Sequence, residues 1–125
     1  MVNRRLKESK LIDKKLNFYQ ISRYIIGALI AFINLKILNL NIEGGDTQGG
    51  LKGFRKNKNF EKTNFISKRF FFDLELILIY SRNNFEILSV KTNYSVPKNS
   101  SIKIFDISKN MIILRELIKV IYKYK

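Results

Sequence analysis

The chain contains no cysteine, no histidine and no tryptophan, and only one proline. Without cysteine there is neither a disulfide nor a thiolate metal site. Without histidine the commonest general base and metal ligand is missing. Ser-His-Asp and Cys-His catalysis and histidine-based zinc sites are therefore excluded within this chain. Acidic residues are scarce as well: 10 Asp and Glu stand against 24 Lys and Arg. Glycine is confined. Apart from Gly27, every glycine lies in the stretch Gly44-Gly45-Asp46-Thr47-Gln48-Gly49-Gly50-Leu51-Lys52-Gly53. Glycine admits positive φ and close backbone approach, so this loop, with a carboxylate inside it, is the candidate site.

What is present bounds the rest. A chain of 125 residues is one domain at most, with a modest core. At 46% hydrophobic residues it is not a disordered polypeptide. A net charge of +14 points to nucleic acid, an anionic membrane surface or phosphate-bearing ligands. Part of that charge is compositional, because Lys, Asn, Ile, Phe and Tyr crowd the chain as an AT-rich coding sequence favours. The aromatics sit in apolar runs such as residues 70–72 instead of alternating with Lys and Arg, and no glycine-aromatic RNA-binding signature occurs. Both features argue against nucleic acid.

In chain order, residues 1–15 are basic, with Arg4, Arg5, Lys7, Lys10, Lys14 and Lys15. No apolar core with a cleavage site follows, so no signal peptide is expected. Residues 17–40 are the most apolar segment. A membrane span needs about 20 apolar residues, whereas the uncharged run here extends only from Tyr24 to Leu35, between Arg23 and Lys36. A buried or interfacial helix is the expectation, with Gly27 and Ala28 allowing close packing. Residues 51–54 read as a short strand and 55–64 as a loop with a helical turn. Phe71, Leu74, Ile77 and Leu78 recur at helical spacing within 70–83, with Asp73 and Glu75 near the start, where the helix dipole favours carboxylates. Residues 85–94 read as a strand, and Pro97 as part of the following turn. Asp106 is the expected N-cap of a last helix. Its apolar stripe is Ile107, Met111, Leu114, Ile118 and Ile121, and its basic face is Arg115, Lys119, Lys123 and Lys125. The stripe reads as the core-packing side, while a basic amphipathic helix also suits an anionic membrane. The fold expected is α/β: three or four short strands, a long apolar helix, a second helix and a basic C-terminal helix.

Four blocks carry a resemblance. Asp46-Thr47-Gln48-Gly49-Gly50-Leu51-Lys52-Gly53-Phe54 resembles the D-T-Q-C-G-F-K-x-F signature of family 2 glycosyltransferases, in their dolichyl-phosphate glucosyltransferase-like branch. Phe72-Asp73-Leu74-Glu75-Leu76 is similar to that branch's F-D-V-E-L block. Asn3-Arg4-Arg5-Leu6-Lys7-Glu8-Ser9 resembles its S-R-R-L-K-G-S stretch, and Asn99-Ser100 with Asp106 through Met111 its G-S…D-S…M segment. The blocks occur in the family's order and cover most of the chain. Where the family has E-V-P-V-x-W, this chain has Ser89-Val90-Lys91-Thr92-Asn93-Tyr94, with the glutamate, proline and tryptophan replaced.

The resemblance implies the acceptor-side, C-terminal half of a GT-A-type enzyme that inverts the anomeric carbon as it transfers a sugar from a nucleotide-sugar donor to a polyprenyl or dolichyl phosphate. Asp46 takes the place of the acceptor-side carboxylate that acts as base or positioning group. Acceptor or phosphate-binding roles fall on Arg4, Gln48, Lys52, Arg55, Asp73 and Glu75. The full enzyme would use Mg2+ or Mn2+ held by a D-x-D motif, but no D-x-D occurs here and no metal ligand is assigned to this chain. Implied partners are the donor, the lipid phosphate, a complementing N-terminal half and the cytoplasmic face of a membrane. Without that half the chain would be inactive and would expose apolar surface. The other readings are a small basic protein binding a membrane surface or nucleic acid, and an inactive gene relic.

Overall fold

A computed structural model describes residues 1–13, 15–55, 60, 63–96 and 106–125. Among these, three α-helices and a two-stranded parallel sheet form a small mixed α/β arrangement: β1 (Lys10–Leu11), α1 (Phe18–Lys36), α2 (Phe72–Arg82), β2 (Asn93–Tyr94) and α3 (Ile107–Tyr124).

α1 begins at a capping box. The Asn17 side chain accepts from the Gln20 N–H at 2.8 Å, and the Gln20 side chain accepts from the Asn17 N–H at 2.9 Å, which satisfies two otherwise orphaned donors. The Gln20 amide also donates to Val96 O at 2.6 Å and so ties the helix start to the chain beyond β2. Beyond α1 the chain turns at Asn39, with φ +50°, and Leu38, Leu40 and Ile42 are buried. Only one side of α1 is covered. Phe18, Ile21, Ile25, Leu29 and Phe32 are exposed along the other. Among the described residues it is the one helix long and apolar enough to cross a membrane, by length and composition only.

α2 lies at the centre. Every residue from Leu74 to Ile79 is buried, so the middle of the helix is enclosed on all sides. Leu74 and Leu78 pack with Phe71, Ile30, Leu38, Leu40, Ile42, Leu117 and Val120. Burying one such side chain fully contributes about 2 kcal/mol.

α3 is capped as expected, the Asp106 carboxylate accepting from the Lys109 N–H at 3.2 Å. Its orientation differs from the sequence reading. Leu117, Val120 and Tyr124 are buried and Ile121 packs against the core as expected, whereas Ile107, Met111, Leu114 and Ile118 face outward. The cause lies in polar partners. Glu75, fully buried, accepts from the Lys123 ammonium and the Tyr124 hydroxyl at 3.0 Å each, and from the backbone N–H groups of Ile66 and Ser67. Glu116 accepts from the Ser67 hydroxyl and, at 3.3 Å, from the Arg69 N–H. These contacts turn the face that bears Leu117 and Val120 toward α2.

The sheet is smaller than three or four strands. Val2 and Val90 form an isolated parallel bridge, and Lys10–Leu11 pairs with Asn93–Tyr94. Of residues 85–94, the sequence-expected strand, only these positions pair. Residues 51–54 form no strand. Leu51 O accepts from the Val2 N–H at 3.0 Å, but Gly50 and Gly53 contribute no side chains and Leu51 and Phe54 are exposed, so no packed face sustains a ladder there. The helical turn expected in 55–64, the turn at Pro97 and the Asn99-Ser100 block fall on residues lying wholly or mostly outside the described ones.

Candidate functional site

The site starts from an interruption. Asn3 N–H donates to Val90 O at 2.9 Å, and Lys10 N–H to Thr92 O at 3.1 Å, so the same strand is followed at both ends. Between them, residues 4–8 leave the strand as a turn. Ser9 bridges the gap, its hydroxyl donating to Asn3 O at 2.6 Å and accepting from the Thr92 N–H at 3.1 Å. Asn3 anchors the start: wholly buried, it donates to Glu43 O at 2.7 Å and accepts from the Arg5 N–H at 3.0 Å. The excursion thereby presents Arg4 and Arg5 to the glycine loop.

Glycine is required where that loop meets its neighbours. Gly45 has φ +65°, and a Cβ there would lie 2.6 Å from Ala31 O of α1. A Cβ on Gly49 would lie 2.1 Å from Val2 O. Asn34 of α1, wholly buried, holds the loop further by donating to Gly45 O at 2.9 Å and to the Thr47 hydroxyl at 3.0 Å.

Asp46 is thus fixed against Arg4. The guanidinium grips both carboxylate oxygens, Nε to Oδ2 and Nη2 to Oδ1, each at 2.9 Å. The Arg4 N–H donates to Oδ2 at 3.0 Å and the Gln48 N–H to Oδ1 at 3.1 Å. Burial alone would raise the Asp46 carboxyl, but these hydrogen bonds and the Arg4 charge outweigh it and hold the carboxyl below the usual range. The hydrogen bond to Asp46 in turn raises Arg4. A carboxylate so engaged is a poor proton acceptor and a firm positioning group.

Beside this pair opens a cavity of about 330 Å³. Arg4, Arg5 and Arg23 bring three guanidinium groups to it, Gln48, Tyr24 and Tyr94 add polar groups, and Ile26, Ile30, Phe70 and Val96 form apolar wall. Arg4 is committed to Asp46. Arg5 lies over the Tyr24 ring at 5.4 Å and makes a 3.4 Å contact with Tyr24 O, and Arg23 lies over the Tyr19 ring at 5.9 Å. Neither has a carboxylate partner among the described residues. The Gln48 Nε2 group is buried with no hydrogen-bond partner, which is costly unless a ligand accepts from it. Burial raises the Tyr94 phenol, so Tyr94 stays neutral as a donor. The arrangement suits an anion with several acceptor oxygens and an apolar remainder.

The other sequence-derived residues lie elsewhere. Lys52 and Arg55 line a second cavity, of about 250 Å³, with Phe54, Tyr80 and Phe85. Lys52 donates to Gly49 O and pairs with Asp73 at 3.0 Å, so Asp73 supports the glycine loop. Glu75, with no exposed surface, serves the interior and does not reach either cavity. Of the seven named residues the structure brings together Arg4, Asp46 and Gln48. Arg5 and Arg23 join them unannounced. Arg5 is an undistinguished member of the basic N-terminal stretch, and Arg23 appears in the sequence only as the edge of an apolar run.

The carboxylates named for the site are each engaged. Asp46, Asp73 and Glu75 are each paired with a different cationic side chain, and no group of three or more potential ligands converges among the described residues. No protein-family model, curated protein or solved structure matches this chain.

Proposed function

We propose that the chain is the acceptor-side half of a family 2-type glycosyltransferase, and that the arginine cavity holds the phosphate of a polyprenyl phosphate at the cytoplasmic face of a membrane. The observation that supports this reading is the cavity itself: Arg5, Arg23 and the unpartnered Gln48 amide converge beside the Arg4–Asp46 pair, next to apolar wall. A phosphate monoester has its second pKa near 6 and carries about −1.5 to −2 charges at neutral pH, which matches two guanidinium groups that have no carboxylate partner among the described residues. The resemblance of the glycine loop to the D-T-Q-x-G-F-K signature agrees with it.

In this reading an acceptor phosphate oxygen attacks the anomeric carbon of the sugar from the face opposite the leaving group. The bond to the nucleoside diphosphate breaks with its electron pair, and the configuration inverts. An ionised phosphate needs no base, so Asp46 has no proton to take. It fixes the Arg4 guanidinium and the Gln48 backbone at the edge of the cavity. In this reading metal and donor diphosphate are held by a donor-binding half; among the described residues no group of three or more potential ligands converges. The outer face of α1, apolar up to Lys36 at its end, is the surface offered to that half.

The test is equilibrium binding of farnesyl phosphate and of farnesol to the chain, followed by a sugar-transfer assay after co-expression with a donor-binding half. Binding that requires the phosphate, weakens at least tenfold in Arg5→Gln/Arg23→Gln, and is accompanied by transfer supports the enzyme. Equal binding of the alcohol and the phosphate overturns it.

A further inference from the structure

Of the α3 stripe that the sequence assigns to the core, Ile121 packs against it and the other four residues are bare. Ile107, Met111, Leu114, Ile118 and Tyr122 recur at helical spacing and are 48–90% exposed. Such a continuous apolar strip is uncommon on a protein that meets only water. Its charged surroundings are of one sign. Arg115 and Lys119 flank the strip on one side, and Lys125 ends the chain beside it. The two acidic groups of the helix are both engaged. Glu116 is turned inward to Ser67 and Arg69, and Asp106 caps the helix and pairs with Lys109 at 3.0 Å. Lys123 is held by Glu75. No uncompensated carboxylate is therefore left on the outer face of α3 among the described residues.

We propose that this face of α3 lies on an anionic lipid bilayer, with the strip sunk into the headgroup–acyl boundary and Arg115 and Lys119 reaching the lipid phosphates. Long basic side chains rest their stems on apolar surface while their charges stay in the headgroup layer, which places both residues correctly. The helix lies flat, because Arg115 and Lys119 interrupt any apolar run long enough to cross. Charge selects the occupant. A second copy would set one +14 chain, with the same Arg115 and Lys119, against another, whereas an anionic surface complements both the strip and its flank. This deepens the membrane part of the reading above by naming the surface involved, and it uses neither the cavity nor Asp46.

The experiment is co-sedimentation of the chain with vesicles of phosphatidylcholine, and of phosphatidylcholine with one-third phosphatidylglycerol, neither containing isoprenoid phosphate. The proposal expects binding to the anionic vesicles that weakens with salt. Leu114→Glu/Ile118→Glu should reduce it at least tenfold, with far-UV dichroism unchanged because both side chains already face outward. Arg115→Gln/Lys119→Gln should weaken it about fivefold per charge removed, roughly 25-fold in all. Three results overturn the proposal: equal binding to neutral and anionic vesicles, loss of binding through Ile25→Glu/Leu29→Glu of α1 but not through the α3 pair, and a wild-type dimer that the α3 pair converts to monomer without any vesicle binding. Because the vesicles lack the acceptor, failure here leaves the farnesyl phosphate result standing, and the reverse also holds.

Discussion

Arg4 holds Asp46 through both guanidinium and backbone, with three contacts of 2.9 to 3.0 Å on a side chain only 3% exposed. Residues 42 positions apart in the chain thus form one rigid element, which decides where Arg5, Gln48 and the glycine loop stand.

Asp46→Asn keeps the shape and removes the charge that the Arg4 fork matches. Since the Arg4 side chain is 40% exposed, solvent screens part of the loss. The expected destabilisation is about 1–3 kcal/mol, the range for hydrogen bonds to charged groups, read from urea unfolding. Arg4→Lys should cost nearly as much, because an ammonium cannot reproduce the two-pronged contact. A neutral result for both would mean the pair is ornamental.

Acid should unfold the chain through its buried carboxylates. Asp46 and Glu75 are both held below their ordinary values, so the unfolded state binds more protons as pH falls. Their contribution is fully present above the unfolded carboxylate range, about pH 4–4.5, and is lost as pH drops through the lower folded values. Stability should therefore rise with pH across that acid range and then level off. Glu75→Gln should flatten this limb and lower stability at neutral pH by about 3–5 kcal/mol, because the Lys123 ammonium and the N–H groups of Ile66 and Ser67 lose their anion.

The two faces of α3 and the core can be told apart by truncation. Leu78→Ala, at a side chain with no exposed surface, should cost about 2–5 kcal/mol. Leu114→Ala should stay within about 0.5 kcal/mol, as exposed positions do. If Leu114→Ala proved the costlier, α3 would be turned the other way, with its predicted stripe inward.

Gly45→Ala forces a side chain into positive φ and against Ala31 O, and Gly49→Ala drives a Cβ into Val2 O. Each should destabilise by more than about 1 kcal/mol, beyond what the reduced freedom of the unfolded chain returns. Gly50→Ala and Gly53→Ala meet nothing and should be close to neutral. Thermal unfolding of the four variants separates a packed loop from a merely flexible one.

The helices were legible because their signals are local. The apolar run of α1, the helical spacing of Leu74, Ile77 and Leu78, and the cap at Asp106 need only their immediate neighbours. The orientation of α3 was not. Its apolar residues spread over two adjacent faces, and the choice between them is made by Glu75 and Ser67, both distant in the chain. The same holds for Glu75, which reads as an ordinary helix-start charge until Lys123 and Tyr124 are brought to it. Strand pairing is equally non-local, so residues 51–54 and 85–94 read as strands by composition while most of their length finds no partner. Asp46 stood out through its loop; Arg5 and Arg23 did not, since nothing in a basic stretch or at the edge of an apolar run marks which cations will converge.

That convergence makes the most direct prediction about ligands. Three arginines line one cavity, and among the described residues only Arg4 has a carboxylate partner, Asp46. A bound dianion would pair with Arg5 and Arg23 and accept from the Gln48 amide. Inorganic phosphate should therefore raise the unfolding temperature, as any ligand confined to the native state does: at one hundred times its dissociation constant the gain is about 2.7 kcal/mol. Chloride at equal ionic strength should produce little of this shift. Arg23→Gln should abolish most of it while costing the unliganded protein no more than the Arg23–Tyr19 contact, about 0.5–1 kcal/mol. Gln48→Leu should also reduce the shift while leaving the empty protein as stable or more so, since it deletes a buried donor that has no partner. Thermal scans of the three proteins with and without phosphate read both effects, and an Arg23→Gln variant that keeps the full shift would place the anion elsewhere.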